Sequence, residues 1–242
     1  GTLLFGAFVV ATLRPTNTWD LPTYLLFAVL ILFYSIYKNS PLPAKFLPTL
    51  PDMLRRSFFA LSMIAIFVLG VMVFYLPFTN KFGQAYGTID VWKGDHAPLN
   101  AYLVHWGWQL FLITTWLIWE TREWLAATPA SAIRRIKPYL GYMQIITVLF
   151  FMVVILLTLL GINIGWIVGV LGVWTLALLL RPGQPDEKRF VLFMIGTALV
   201  LTLFVELFAL QGDIGRMNTV FKFYFQAWTL LSIAAAASLL WV

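Results

Sequence analysis

The sequence has no cysteine and little charge. Because cysteine is absent from all 242 residues, disulfide bonds and thiolate metal sites are excluded. Charged residues make up only 11% of the chain and hydrophobic residues 61%, whereas roughly a quarter of the residues of an ordinary globular domain are charged. This composition predicts an integral membrane protein, in contact with membrane lipids.

A clustered basic surface is also missing. Basic residues outnumber acidic ones by sixteen to ten, but they are scattered over loop ends and do not form a patch interleaved with exposed aromatic residues. Proteins that bind nucleic acid concentrate such residues on one face. We therefore expect no nucleic-acid partner, and membrane topology explains the basic residues better.

Long apolar runs are what the sequence does contain. They recur at about the 20 residues that a helix needs to cross the hydrocarbon core, and we predict an all-α, polytopic transmembrane bundle that forms one domain over 1–242. Glycines predict a turn between the fifth and sixth of about eight segments. The segments are Thr2–Leu13, Leu21–Tyr37, Ser57–Leu76, Leu103–Trp119, Tyr139–Leu160, Ile162–Leu180, Phe190–Leu210 and Thr219–Val242. Because the first begins at Gly1 and the last has no tail, we expect both to be truncated and the chain to be part of a longer membrane protein.

The basic residues divide unevenly between alternate connections. Those that follow the second, fourth and sixth segments hold eleven of the sixteen: Lys38, Lys45, Arg55, Arg56, Arg122, Arg134, Arg135, Lys137, Arg181, Lys188 and Arg189. Connections rich in Lys and Arg stay in the cytoplasm. We therefore predict a multi-pass protein of the cell membrane whose polar segments around 17–20, 78–100 and 212–222 lie on the non-cytoplasmic face.

The densest polar segment of the chain is Gly212–Lys222. Asn218 or Thr219 is expected to cap the last helix, whose first turn then presents free N–H groups. Arg216 and Lys222 flank that turn, and a helix N-terminus between two cations favours an anion such as phosphate. The alternative is that both bases reach for the membrane interface.

Polar residues within the spans give further candidates. Gln226 shares a helical stripe with Asn218 and Lys222 and is expected to face the bundle interior. Glu206 lies near the end of its span, where a carboxylate is costly unless paired, so we predict Arg216 or His105 as its partner. His105 itself is either a hydrogen-bonded packing residue or a catalytic base.

Two further segments carry acidic residues. Asp20 is either a helix N-cap or a carboxylate that positions a hydroxyl or takes a proton. The loop 78–100 contains Asp95 and His96, but two adjacent ligands without a spaced third indicate a divalent metal only weakly, and we predict no metal site.

Three motifs together resemble one family. They are Asn17-Thr18-Trp19-Asp20 with Pro22-Thr23-Tyr24, then His105-x-Gly107, then Gly212-Asp213-x-x-Arg216-Met217-Asn218-Thr219-x-Phe221-Lys222-x-Tyr224-x-Gln226-x-Trp228. The chain resembles the DUF2298 membrane proteins, also called the YYY family, of Chloroflexi and archaea. That family is similar to the GT-C glycosyltransferases, which use polyprenyl-phosphate sugars at the outer membrane face.

The resemblance implies a lipid-phosphate-sugar-dependent glycosyltransferase with a polyprenyl-phosphate donor. Arg216, Lys222 and Asn218 would bind the phosphate, and Asp20, Asp213 and His105 are the catalytic candidates. Asn17, Trp19, Glu206 and Gln226 would line the site. GT-C enzymes usually carry their catalytic acid in the first outer loop, which here would precede Gly1.

Other functions fit the same polar residues. A transporter could relay protons through Glu206 and His105, and a lipid-binding subunit could hold an anionic lipid at the basic cluster. The third alternative is a structural subunit of a larger membrane assembly with protein partners.

Overall fold

The computed structural model describes residues 1–43, 45–83, 88–132, 134 and 137–242. Arg135, one of the basic residues assigned above to a cytoplasmic connection, lies outside the described residues. The chain is nearly all-α, as its apolar runs predict. It forms two compact units, Gly1–Ala85 and Tyr86–Val242, and each is described by itself.

The first unit is built on close contact between small residues. Its helices are α1 (Thr2–Ala11), α2 (Leu13–Thr16), α3 (Asp20–Asn39), α4 (Asp52–Phe74) and α5 (Leu76–Lys81). A β-carbon placed on Gly70 of α4 would lie 3.1 Å from the β-carbon of Ala7 on α1, so the two helices approach closely there. Around this contact the core contains Ala7, Ala11, Leu21, Phe67 and Val71.

The second unit packs around its penultimate helix. Its elements are β1 (Ile89–Val91), α6 (Leu99–Ala127), two short 3₁₀ turns (Ala130–Ala132 and Lys137–Tyr139), α7 (Leu140–Leu159), α8 (Gly165–Leu179), α9 (Asp186–Leu207), β2 (Phe208–Leu210) and α10 (Met217–Leu239). Helix α9 packs against both α8 and α10, and α6 packs against α10 and α8. The side chains of α9 are accordingly buried around much of its circumference.

Five stretches of the described chain are long and apolar enough to cross a membrane: Asp20–Asn39, Asp52–Phe74, Lys137–Leu159, Asp186–Leu207 and Met217–Leu239. The other three predicted segments are also helical. Two are shorter apolar helices, Thr2–Thr16 and Gly165–Leu179, and the third lies within α6, which extends to 29 residues and carries charged side chains in its last two turns. A multi-pass helical membrane bundle is confirmed.

A two-stranded ribbon replaces the predicted end of the seventh segment. Helix α9 ends at Leu207 and not at Leu210, because Phe208–Leu210 pairs antiparallel with Ile89–Val91. Strands of three residues are too short to give an alternating pattern in sequence, and this ribbon was not predicted. It holds the loop before α6 against the C-terminal end of α9, where Trp92 N–H donates to the Leu207 carbonyl at 2.8 Å.

Candidate functional site

Glu206 is the centre of the polar site in the second unit. It lies in the last turn of α9 and only 1% of it is exposed. Its Oε2 oxygen accepts a hydrogen bond from the Ala97 backbone N–H at 3.0 Å, lies 3.1 Å from His96 Nδ1 and is 3.0 Å from Arg216 Nη1. A buried carboxylate needs such partners to offset its lost hydration.

These contacts test the partners predicted for Glu206. The pairing with Arg216 is confirmed. The histidine beside the carboxylate is His96 and not His105, because the ribbon carries the loop that contains His96 onto the end of α9. In the sequence, His96 belongs only to a weak metal motif with Asp95.

Trp92 connects this loop to Arg216. The indole N–H of Trp92 donates to the Asp95 carbonyl at 3.0 Å, and the guanidinium carbon of Arg216 lies 5.5 Å from the centroid of the Trp92 ring. A β-carbon on Gly94 would overlap that ring, so the close approach of the Trp92 ring requires glycine at position 94. The loop therefore holds the aromatic ring and the cation in fixed positions beside Glu206.

An open cleft of about 790 Å³ adjoins the carboxylate. Trp92, Lys93, Asp95, His96 and Glu206 line it on one side, and the turn between α7 and α8 lines it on the other. In that turn Gly161 has a φ of +85°, which favours glycine, and a β-carbon there would lie 3.3 Å from the His96 ring. The predicted glycine turn is confirmed, and it lies at the same end of the second unit as Glu206.

The two oxygens of Glu206 have different surroundings. Three donors surround Oε2, whereas Oε1 is buried and has no hydrogen-bond partner among the residues that the structure describes. Native proteins leave few buried polar atoms unpaired. The carboxylate is thus fixed through one oxygen, while the other can accept one more hydrogen bond or a proton.

Asp213 occupies the N-terminus of α10. This helix begins at Met217, so Asn218 and Thr219 lie inside its first turn and are not the cap that the sequence predicted. Asp213 Oδ1 accepts from Asn218 N and Nδ2 at 3.2 and 3.1 Å. Its Oδ2 accepts from Thr219 N and Oγ1, both at 2.8 Å. Asp213 therefore binds the backbone N–H groups that the sequence predicts as a site for a phosphate.

These hydrogen bonds set the charge of Asp213. Partial burial opposes ionisation, but the bonds from the backbone and side chains of Thr219 and Asn218 outweigh it and lower the pKa of the Asp213 carboxyl below its usual value. Thr219 Oγ1 also accepts from the Leu210 backbone N–H at 2.9 Å. Asp213 thus fixes the start of α10 relative to the ribbon, and it is ionised at neutral pH.

The remaining predicted residues of the second unit lie on α6 and α10. The His105 ring is 4.4 Å from the centroid of Trp106, 5.6 Å from that of Tyr224 and 5.5 Å from that of Trp228, so it belongs to an aromatic cluster between these helices. On α10, Gln226 is fully buried and Lys222 is half-buried.

Asn17, Trp19 and Asp20 lie in the first unit. Asn17 follows α2, and its carbonyl accepts from the Asp20 N–H at 2.9 Å. Asp20 is the first residue of α3 and Trp19 is the residue before it, so Asp20 is not itself the N-cap. A carboxylate in the first turn of a helix is favoured by the helix dipole.

One cluster of charged side chains in the second unit is not predicted by the sequence. Glu120, near the end of α6, is 3% exposed, lies 2.7 Å from Arg181 Nη1 and also pairs with Lys188. In the sequence both bases serve only to assign a connection to the cytoplasmic side. The spacing of Ile113, Trp116 and Glu120 was the available signal, because it puts the carboxylate on the same face of α6 as buried apolar residues.

A metal centre has no support in the described residues. No group of three or more His, Asp or Glu side chains there is placed to hold a metal ion. Asp95 and His96 lie together at the cleft, but His96 uses its Nδ1 nitrogen to contact Glu206.

The fold and the site define a polytopic helical membrane protein with a polar cleft at one end of its second unit. The chain belongs to the family described as uncharacterized membrane protein (DUF2298), which matches residues 1–231. The resemblance carried by the three sequence motifs is thereby confirmed. No curated protein and no solved structure matches the chain.

Proposed function

We propose that the protein is part of a GT-C-like membrane glycosyltransferase that takes a sugar from a polyprenyl-phosphate donor at the non-cytoplasmic face of the cell membrane. The observation that carries this proposal is the carboxylate of Glu206, which is fixed through Oε2 and has Oε1 unpaired among the described residues. It adjoins an open cleft lined by Trp92, Lys93 and Asp95. Such a mixture of aromatic, acidic and basic groups suits a sugar joined to a phosphate.

In this mechanism Glu206 is the general base. The acceptor oxygen attacks the anomeric carbon while its proton passes to Glu206 Oε1, and the bond from the anomeric carbon to the phosphate oxygen breaks with its electron pair leaving on the phosphate. Proton transfer of this kind contributes about 10²- to 10⁴-fold to a rate. Glu206 thus takes the catalytic role that the family resemblance implied for Asp20, Asp213 or His105.

Positive charge near the cleft would stabilise the departing phosphate. Arg216 contacts both Glu206 and the Val205 carbonyl through Nη1, so Nε and Nη2 are the nitrogens left to bind an anion. Lys93 lines the cleft and is exposed. We assign the phosphate to Arg216 and Lys93, with Lys222 as a further contact. Fixed cations stabilise charge that develops in a transition state.

Asp213 and Asn218 take a supporting role in this proposal. Because Asp213 binds the first-turn amides of α10, those amides hold the helix start in place and the phosphate is bound by side chains. In this proposal, the segment between β2 and α10 serves to hold Arg216 beside Glu206.

The test uses membranes that contain the full-length protein and a radiolabelled polyprenyl-phosphate sugar. Glu206→Gln keeps the size of the side chain but removes the base, and it should reduce transfer at least about 100-fold. Glu187→Gln, an exposed position on the same helix, is the matched control and should transfer at the wild-type rate. Wild-type transfer by Glu206→Gln would show that this carboxylate is not the base.

A transporter has less support from the second unit. A transported ion needs polar groups along its path through the membrane. In α6 the buried polar residues Gln109 and Glu120 are separated by Ile113, Trp116 and Leu117, which are buried and largely apolar. The buried carboxylate and the buried amide of this helix are therefore at separate levels.

A further inference from the structure

The cluster of Glu120, Arg181 and Lys188 lies far from the cleft. Lys188 and Glu206 are both on α9 and 18 residues apart, which at 1.5 Å per residue is about 27 Å along the helix axis. That separation is close to the thickness of the hydrocarbon core. The cluster is therefore at the opposite membrane boundary from the site of the proposed transfer, and that function does not use it.

Positive charge exceeds negative charge in this cluster. Glu120 is one acid between two bases, with Arg181 Nη1 at 2.7 Å from one of its oxygens and Lys188 Nζ on the other. Arg181 and Lys188 keep 17% and 23% of their side chains exposed, against 4% for Glu120. The acid is more deeply buried than the bases, so the exposed atoms of this cluster belong mainly to Arg181 and Lys188.

The turn between α8 and α9, which contains Arg181, also has buried hydrogen-bonding groups without partners among the described residues. Gln184 is 4% exposed, and neither its amide nitrogen nor its amide oxygen has a partner among the described residues. The same holds for the Nε nitrogen of Arg181. A buried amide without partners is costly, and an apolar side chain would fill the space without that cost.

The turn that carries these groups is rigid. Arg189 donates to three of its backbone carbonyls, those of Leu179, Arg181 and Gln184, at 2.9, 2.8 and 3.0 Å. Gly183 adopts a φ of +75°, which reverses the chain between the two helices. The unpaired groups of Arg181 and Gln184 are thus held three residues apart in one fixed turn.

Two tryptophans flank the bases. The guanidinium carbon of Arg181 lies 5.6 Å from the centroid of the Trp124 ring, and Lys188 Nζ lies 5.7 Å from that of Trp241. Tryptophan is enriched at the level of lipid headgroups. The surroundings of the cluster therefore match a headgroup and not the hydrocarbon.

We propose that Arg181, Gln184 and Lys188 form a binding site for the phosphate group of an anionic lipid. Basic pockets between transmembrane helices bind anionic headgroups, and guanidinium and amide N–H groups are the donors that a phosphate oxygen accepts from. Phosphate would occupy the donors that Glu120 leaves unused, with Arg181 Nε and the Gln184 amide as its innermost contacts. The proposal stands independently of the glycosyltransferase assignment.

The test compares the thermal stability of the full-length protein in nanodiscs of phosphatidylcholine alone and in nanodiscs that also contain phosphatidylglycerol. A ligand that binds the folded state raises Tm, so the anionic lipid should raise the Tm of the wild type. Gln184→Leu leaves both ion pairs of Glu120 in place. It should keep or raise Tm in phosphatidylcholine, because it removes unpaired buried groups, and it should lose most of the increase that phosphatidylglycerol produces.

Gln144→Leu is the matched control, since Gln144 is an exposed glutamine on α7 and should retain the full increase. A Tm that phosphatidylglycerol does not raise, or raises equally in Gln184→Leu, overturns the proposal. Inorganic phosphate added to the protein in phosphatidylcholine distinguishes the source. If inorganic phosphate raises the wild-type Tm and phosphatidylglycerol does not, the lipid proposal is overturned and the ligand is a soluble phosphate. Should Gln184→Leu not fold, Gln184→Met and lipid counting by native mass spectrometry replace it, with fewer retained phosphatidylglycerol molecules expected than in the wild type.

Discussion

Arg216 Nη1 lies 3.0 Å from the Oε2 oxygen of Glu206, and only 14% of the arginine side chain and 1% of the glutamate side chain are exposed. The pair joins the C-terminal turn of α9 to the start of α10. The same nitrogen donates to the Val205 carbonyl at 2.7 Å, so the cation also neutralises the negative end of the α9 dipole. Arg216 therefore holds the site together whether or not it also binds a substrate.

Arg216→Met should destabilise the protein. Removing one partner of a buried pair leaves an uncompensated charge, at a cost of about 3–5 kcal/mol. Adding Glu206→Met to it should restore most of that loss, since no buried charge then remains. Denaturant unfolding of the two single variants and the double variant in detergent measures this coupling. Equal stability of the Arg216 single variant and the wild type would contradict the pairing.

Arg216 contributes to the stability of the fold and, in the proposed function, also to donor binding. A variant that loses transfer and stability together does not separate binding from folding. Arg216→Lys keeps the charge near Glu206 but provides a single nitrogen, so it should fold better than Arg216→Met while losing the nitrogens assigned to phosphate. We expect weaker donor binding, seen as a higher KM, in the radiolabelled transfer assay.

Gly94→Ala should disrupt the loop beside the cleft, because a β-carbon at Gly94 would overlap the Trp92 ring. Trp92 would then leave Arg216, and we expect a lower Tm together with lower transfer. Gly196→Ala is the matched control. Gly196 lies on α9, and outside the backbone of that helix a β-carbon there would meet no atom within 4 Å. The change should raise stability by up to about 1 kcal/mol, as expected for Gly→Ala within a helix. If Gly94→Ala had the same Tm as the wild type, the packing of Trp92 on Gly94 would not matter to the loop.

The sequence was sufficient for the features that depend on local pattern and on the cost of burial. Apolar run length predicted where the helices lie, and the glycines between α7 and α8 predicted their turn. Glu206 was recognised because a carboxylate near the end of a span demands a partner, and Arg216 was the nearest base along the chain.

Contacts between segments that are distant in the sequence could not be predicted from local patterns. The ribbon pairs residues about 120 positions apart with only three residues in each strand, so neither length nor alternation identifies it. His96 reaches Glu206 only because of that ribbon. Asp213 was missed as a helix cap because it lies four residues before the first helical residue of α10, whereas sequence rules look for the cap at the residue next to the helix.

Lys222→Gln tests the remaining phosphate contact of the proposed function. It removes one charge from the half-buried start of α10, and the residues that contact Glu206 stay unchanged. Transfer should fall, and Lys137→Gln, at an exposed base on another segment, should leave transfer unchanged. If Lys222→Gln transfers at the wild-type rate, Lys222 has no part in binding the donor.

Asp213→Asn should lower stability in a pH-dependent way. The lowered pKa of Asp213 means that its ionised form stabilises the folded state. This contribution is fully present above the unfolded-state pKa of about 3.9 and is lost as the pH falls through the lower folded-state pKa. At neutral pH the variant should lose about 1 kcal/mol, the usual worth of a helix cap.

The difference should shrink below about pH 4, because a protonated aspartic acid and an asparagine are similar in size and are both uncharged. Thermal unfolding of wild type and variant from neutral to acidic pH measures it. Asp90→Asn, at an exposed position in β1, is the control for a general effect of charge and should track the wild type. A gap between Asp213→Asn and the wild type that stays constant across the whole pH range would mean that the cap acts through shape and hydrogen-bond geometry and not through its charge.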